Sequence, residues 1–380
     1  TQTETAIGNI APSADWSIEN TPVWNGIYFL GTEQLYNQFG MKSFVEEQYD
    51  AMRKMALVDI KTIQNNGWVW FDTQMGDWVS PYGGTDPNAP GIAMSPEGSA
   101  ICGTGYVYQI LKTMTHMAEV LGKEEDAAEY RAAMEQIYTA FNEKFFDEEK
   151  QIYDTNYWIP ENAGLRTKFR QTSQLVALAF GLVPEEYKDA VVKNLVNDIV
   201  EKGYHFEVGM VGNKLLLPVL SDNGYNDVAY KVLTQTTYPS WGYWLEQGAT
   251  SAWEGFENTT RSHNHYFLAN YEEWLYKGLA GIRDFADGGN TFTIQPQLAG
   301  SLEYVDAVTN TAYGNIRSSW KITEQNTEFS YQIPVSTTAT IYLPTADTIY
   351  NKDHQEISTS DVGIVSIEKQ GEITKLVVKS

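Results

Sequence analysis

The feature that most constrains the fold of this chain is a change in hydrophobic periodicity near residues 284–289. Before this point, apolar residues recur at helical spacing over many segments. After it, apolar and polar residues alternate and turn residues separate the segments, for example at 316–322 and 338–343. The sequence therefore predicts a mainly α protein with an added β part: a helical domain over residues 1–285 and an antiparallel β-sandwich over residues 286–380.

The helical part shows no βαβ rhythm, and its segments alternate with polar or aromatic loops. This alternation favours antiparallel helix pairs packed as a toroid. The segments with helical spacing are 22–39, 42–64, 98–121, 124–145, 172–180, 184–202, 209–220, 225–236, a short one near Thr250, and 265–279. Residues 67–97 are loop-like and unusually aromatic, and long ordered loops in compact domains are often functional.

Composition excludes several classes of function. The formal net charge of −23 would repel a phosphate backbone, so we expect no nucleic-acid partner. No run of about 18 apolar residues occurs, so we expect no membrane span. Cys102 is the only cysteine, which rules out an internal disulfide. The first residues show no basic or apolar leader and no initiator Met, and we favour a secreted or periplasmic location for a chain that begins at a processing boundary.

The run from residue 238 to 274 is the most informative for function. It holds four Trp residues interleaved with carboxylates and imidazoles: Trp241, Trp244, Trp253, Trp274, Glu246, Glu254, Glu257, His263 and His265. Flat aromatic faces cover the apolar faces of a sugar ring, and carboxylates and imidazoles bind hydroxyls and move protons. The mixture points to a carbohydrate-processing site, although a Trp-rich core with Glu on its wet face is the structural alternative.

Other chemistries find no support in the sequence. No cluster of His, Asp or Cys has the spacing of metal ligands. A glycine-rich phosphate loop and the nucleophile elbow of a serine hydrolase are also missing. We therefore expect neither a metal nor a cofactor, and a carbohydrate substrate as the partner.

The sequence of the aromatic run, residues 238–274, resembles the α-L-rhamnosidase family of glycoside hydrolases. The resemblance is strongest over 238–283 and extends, at varying strength, over almost the whole chain. Its motifs are Tyr238-Pro-Ser-Trp-Gly, Glu246-Gln-Gly-Ala-Thr, Trp253-Glu254, Ser262-His-Asn-His265, Gly76-Asp77-Trp78, His205-Phe-Glu-Val-Gly209 with Gly212, and Tyr313-Gly314. It implies an (α/α)6 barrel followed by a β-sandwich. Because only eight or nine helices are evident, we expect the first barrel helices to be missing.

The resemblance also implies roles for individual residues. Glu254 would be the general base that activates water in an inverting hydrolysis, and Glu246 is the rival carboxylate. His265, and less strongly His263, would bind a sugar hydroxyl or the base. The other substrate-binding candidates are Trp24, Asp77, Trp78, His205, Trp241 and Trp253. Trp24 is followed by Asn25-Gly26, where the family often has Gly-Asp, which puts the neighbouring polar contact in doubt.

Three functions follow as hypotheses. The first is inverting hydrolysis of terminal α-L-rhamnose, with the general acid on polypeptide preceding Thr1, so that this chain alone would hydrolyse poorly. That polypeptide, or another chain, would then cover the open barrel. The second is a toroidal glycosidase or lyase acting on an acidic sugar, for which Arg261 is the only basic residue in the key run. The third is a carbohydrate-binding remnant without turnover.

Overall fold

The computed structural model describes residues 20–71, 76–81, 84–86, 89–94, 99–154, 170–345 and 347–380. The chain forms two compact units. The first holds the chain up to Glu33 and Val45–Asn270, and the second holds Gln34–Phe44 and Tyr271–Ser380. Among the described residues, no helix combines the length and apolar character that crossing a membrane requires.

Among the described residues, nine α-helices and four short strands precede the second unit's main stretch. The helices are α1 Pro22–Phe39, α2 Lys42–Asn65, α3 Ser99–Val120, α4 Glu124–Phe145, α5 Gln171–Phe180, α6 Glu185–Glu201, α7 Met210–Asp222, α8 Asn226–Leu233 and α9 Trp241–Glu246. The strands are β1 Gly84–Asp86, β2 Ala89–Met94, β3 Phe146–Asp147 and β4 Ile152–Tyr153, each pair forming a small antiparallel ladder. β1 and β2 lie within the segment that the sequence predicts as a loop.

Eight of the predicted helices, α1 to α8, are confirmed, most of them to within two residues at each end. Pro22 begins α1, where its missing N–H costs nothing, and Gly40 follows the last residue at a φ of 67°. In the same way Gly181, at a φ of 74°, returns its N–H to the carbonyl groups of the last turn of α5. The hairpin α3–α4 and the pairs α5–α6 and α7–α8 pack as neighbours.

Two helix predictions are wrong. The helix near Thr250 is absent: the chain there is irregular, and the helix lies upstream at α9, where Ser240 Oγ accepts the Tyr243 N–H. The segment 265–279 is not one helix. It divides into a 3₁₀ turn at Tyr266–Leu268, a short α10 at Tyr271–Trp274 and a π-helical turn at Leu275–Leu279. Asn270 separates the first two pieces and donates its side-chain amide to Phe267 O.

The second unit contains a β-sandwich. Its strands are β5 Ile282–Ala286, β6 Thr291–Ile294, β7 Tyr304–Thr311, β8 Gly314–Ile322, β9 Thr327–Gln332, β10 Thr338–Leu343, β11 Ile364–Gln370 and β12 Ile373–Lys379. One sheet has the order β11-β12-β10-β6-β5 and the other the order β7-β8-β9. All pairings are antiparallel except β6 with β10, which is parallel with Thr291 opposite Thr338. The two sheets share one core, to which Phe292, Ile316 and Ile341 contribute.

Candidate active site

The segment from Ala252 to His265 folds back on itself and brings three charged or titratable side chains together. Glu254 N donates to Ser262 O at 2.9 Å, and His265 N donates to Ala252 O at 2.8 Å. A turn closed by Thr260 N and Glu257 O, at 3.1 Å, joins the two arms. Backbone pairing therefore fixes which side chains of the two arms meet.

Glu254 is a nearly buried carboxylate held by a half-exposed guanidinium. Arg261 Nη2 donates to Glu254 Oε1 at 2.8 Å, and Arg261 Nε lies 3.5 Å from Oε2. The Glu254 side chain is 6% exposed, whereas that of Arg261 is 57% exposed. A carboxylate so deeply buried is stable as an anion only when it is paired, and Arg261 supplies the partner.

His265 lies within the field of this pair. Burial lowers the pKa of His265 below its usual range, the Glu254 carboxylate opposes this shift, and the Arg261 charge adds to it. Its Nδ1 is enclosed and has no hydrogen-bond partner, and the Phe267 ring packs edge-on at 4.0 Å. The lowered pKa therefore favours the neutral form of the imidazole ring.

The Trp residues of the run form a packed scaffold next to Glu254. Trp241 Nε1 donates to Leu268 O at 2.7 Å, and Trp244 Nε1 donates to Gly255 O at 3.1 Å. Trp253 stacks on His263, with ring centroids 4.3 Å apart and planes 13° apart. All three indoles are buried. Sugar contacts at Trp241, Trp253 and His263 stay predictions.

Asp77 is a helix-capping carboxylate in this structure. Its Oδ2 accepts Gly209 N–H at 2.7 Å and the Thr172 hydroxyl at 2.5 Å, and its Oδ1 accepts Val211 N–H at 2.7 Å and Gly212 N–H at 3.1 Å. The side chain is fully buried. The three N–H donors belong to the start of α7, where an anion is favoured by the unpaired N–H groups and the helix dipole, and the Thr172 hydroxyl belongs to α5. The hydroxyl contact implied by the resemblance stays a prediction.

The remaining candidates lie in different environments. Trp78 is half-buried, and its carbonyl accepts Met210 N–H at 2.8 Å. Trp24 is half-buried and packs against the core of the first unit. His205 uses both ring nitrogens, with Lys202 O at 2.8 Å and Thr237 Oγ1 at 2.7 Å. Glu246 is exposed at the last residue of α9.

Sequence reasoning missed a buried ion-pair cluster beside His205. Glu207 Oε2 lies 3.0 Å from Lys202 Nζ and 3.5 Å from Arg170 Nη1, and Arg170 and Glu207 are both nearly buried. Glu207 lies inside the motif His205-Phe-Glu-Val-Gly209, but no sequence periodicity connects it with Arg170. Within the described ranges, no three His, Cys, Asp or Glu side chains are grouped as a metal site would need.

Helical hairpins that carry a paired, buried carboxylate, followed by a β-sandwich, define a six-hairpin glycosidase. Family models agree with this fold class. Residues 1–279 match the bacterial α-L-rhamnosidase six-hairpin glycosidase domain, and residues 281–358 match the bacterial α-L-rhamnosidase C-terminal domain. The chain belongs to the bacterial α-L-rhamnosidase family, so the resemblance and the fold class are confirmed.

Individual relatives agree with this assignment. An α-L-rhamnosidase of Formosa agariphila is 29% identical over 366 residues, which cover 94% of this chain and 37% of the relative. One of Alteromonas sp. is 26% identical over 88% of this chain and 36% of the relative. The structure of an α-L-rhamnosidase from Dictyoglumus thermophilum superposes with a TM-score of 0.86 at 28% identity, covering 100% of this chain and 41% of the other. The chain thus spans a little over a third of the length of these relatives.

Proposed function

We propose that the protein containing this chain hydrolyses terminal α-L-rhamnose from glycans or glycosides with inversion, and that Glu254 is the general base. The observation that carries the proposal is the Glu254–Arg261 pair in a chain of the α-L-rhamnosidase family. A general base accepts a proton from water, and the Arg261 guanidinium, 2.8 Å from Glu254 Oε1, offsets the cost of burying this carboxylate.

The other residues of the site would bind and orient the sugar. His265, half-buried beside the Glu254–Arg261 pair, would bind a sugar hydroxyl or the base. The half-buried Trp78 and Trp24 keep ring surface available for the apolar face and methyl edge of rhamnose. The general acid would come from residues outside this sequence, which spans little more than a third of its relatives. We therefore expect the 380-residue chain alone to hydrolyse poorly.

The acidic-sugar hypothesis loses its main support in this structure. It depended on Arg261 as the cation that would bind a sugar carboxylate. Arg261 is already paired with Glu254, so its charge is largely balanced before any substrate binds. A neutral deoxysugar is the better match for the site.

Replacing Glu254 by Gln in the complete enzyme tests the proposal. We expect kcat on an aryl α-L-rhamnoside to fall by about 10³-fold, because an amide cannot accept the proton of water. Glu246→Gln is the matched control, since this exposed carboxylate in the same run should leave kcat within about twofold.

Two results would contradict the proposal. One is a near-normal rate in Glu254→Gln. The other is an NMR measurement in which the first-formed rhamnose has the same anomeric configuration as the substrate. An inverting enzyme with a general base releases the anomer opposite to that of the substrate. Sugar binding without any turnover by the complete protein would favour the carbohydrate-binding remnant instead.

A further inference from the structure

A cavity lies entirely within the second unit, between the three-stranded sheet and the residues that follow β10. Its volume is about 1370 Å³. The walls come from β7, β8 and β9, from the turn at residues 325–327, and from residues 344–345, 347–352 and 354. Pockets for drug-sized ligands are commonly about 300–1,000 Å³, so this cavity has room for several sugar rings.

One wall of this cavity is an aromatic stripe on the inner face of the three-stranded sheet. Phe329 lies opposite Trp320, and Tyr331 lies opposite Ser318. Trp320 and Ser318 are 2% and 0% exposed, so this is the face that points into the sandwich. Phe329 and Tyr331 are nevertheless only half-buried, and their rings are nearly parallel, 22° apart in plane and 6.3 Å apart in centroid. Open aromatic surface inside a sandwich is unusual, because the core normally covers it.

The remaining lining is polar and almost balanced in charge. The loop contributes Asp347, Thr348, Asn351, Lys352 and His354. Across the whole lining there are three carboxylates against two ammonium groups, although the chain as a whole carries a net charge of −23. Such a surface favours an uncharged ligand with many hydrogen-bonding groups over an anion or a cation.

A buried hydroxyl in this cavity wall is unsatisfied. Tyr331 Oη is enclosed and has no hydrogen-bond partner. An unpaired buried hydroxyl costs about 1–3 kcal/mol. Tyr331 therefore contributes its ring to the cavity wall, whereas its hydroxyl is enclosed in the sandwich.

We propose that this cavity of the β-sandwich binds a neutral oligosaccharide. Its sugar rings would pack against Phe329 and Tyr331, and its hydroxyls would bind residues 347–352 and 354. It is built from residues different from those around Glu254 and would hold the glycan chain without taking part in hydrolysis. The inference rests on the proposed function only in the choice of a rhamnose oligosaccharide as the probe.

Isothermal titration of the full chain with an α-linked L-rhamnose tetrasaccharide tests this site. Thr348→Trp puts an indole at an exposed position in the cavity wall and should remove one binding site from the measured stoichiometry. Val362→Trp adds the same indole at a fully exposed position outside the lining and should leave every site intact. Tyr331→Phe removes only the enclosed hydroxyl and keeps the ring, so it should leave cavity binding within about twofold of wild type.

The outcomes separate this inference from the proposed function. Loss of one site in Thr348→Trp, with both Trp variants of the complete enzyme keeping the wild-type rate on an aryl rhamnoside, supports the cavity as an ancillary site. If the complete enzyme proves unable to hydrolyse rhamnosides but Thr348→Trp still loses a site, the proposed function fails and the cavity assignment stands. An unchanged stoichiometry in Thr348→Trp, or an equal loss in Val362→Trp, overturns the assignment. Equal affinity for a tetragalacturonate would overturn the neutral character of the ligand.

Discussion

Replacing Asp77 by Asn distinguishes a capping role from a sugar-binding role. In the structure each carboxylate oxygen accepts two hydrogen bonds from Thr172 and the first turn of α7. An Asn side chain keeps one oxygen, which can still serve Val211 and Gly212, but places an NH₂ group against the Gly209 N–H. Two charge-assisted hydrogen bonds are lost, each worth about 1.5 kcal/mol or more, so we expect a loss of about 3 kcal/mol in the free energy of unfolding.

Urea unfolding followed by circular dichroism measures this loss, and hydrogen exchange locates it. The amides of Gly209, Val211 and Gly212 should exchange faster in Asp77→Asn. Thr172→Val is the matched control: it removes one of these two donors at nearly constant shape and should cost about half as much, about 1.5 kcal/mol. An unfolding free energy within about 0.5 kcal/mol of wild type, together with weaker rhamnose binding, would refute the capping argument and restore the hydroxyl contact.

Three further predictions follow from the first unit. Gly209→Ala should destabilise the protein by about 3 kcal/mol in urea, because its Cβ would lie 2.2 Å from Trp78 O, whereas Gly31→Ala, with nothing nearer than 3.9 Å, should be neutral or slightly stabilising. Burial raises the pKa of Asp59 to about 7, against an opposing hydrogen bond from Asn20, so the folded state binds more protons than the unfolded state between about pH 4 and 7. Stability should therefore fall by up to about 4 kcal/mol as pH rises through this window, and Asp59→Asn should remove that fall; parallel curves for the two proteins would contradict it. His265 has a lowered pKa, so its contribution to stability should be present above pH 6.5 and diminish as pH falls below it, and the difference between wild type and His265→Gln in urea midpoint should show that slope.

Much of the fold could be predicted because the hydrophobic periodicity agrees with the Pro and Gly residues that begin and end the elements. Pro22 and Gly40 bound α1 in the sequence as they do in the structure, and alternation marks β8 and β10. The predictions fail where side chains compete with these signals. Around residues 241–279 most of the large apolar residues are Trp, Tyr and Phe, whose positions fit a helical spacing. The indole N–H groups of Trp241 and Trp244, however, bind the carbonyls of Leu268 and Gly255, which lie outside α-helices. The parallel pairing of β6 with β10 depends on contacts far apart in sequence, which local alternation does not encode.

The candidate site could be located from the sequence but not assembled from it. Residue types and family motifs gave Glu254 and His265, yet they could not separate Asp77, which is enclosed by a helix start, from Trp78, which keeps ring surface available. The difference depends on where α7 begins relative to residues 76–78. Gly209 is the visible sign of that arrangement, since only a residue without Cβ lets the Trp78 carbonyl approach so closely.

Arg261 shows most clearly why the site depends on the loop as well as on its residues. Seven positions separate it from Glu254, a spacing that places two side chains together in neither a helix nor a strand. They meet because the 252–254 and 262–265 arms pair through two backbone hydrogen bonds, which sets the length of the turn between them. The same carboxylate on a turn of another length would lose its cation and face the full cost of burial as an anion. The geometry of the turn thus decides whether Glu254 keeps its ion pair with Arg261.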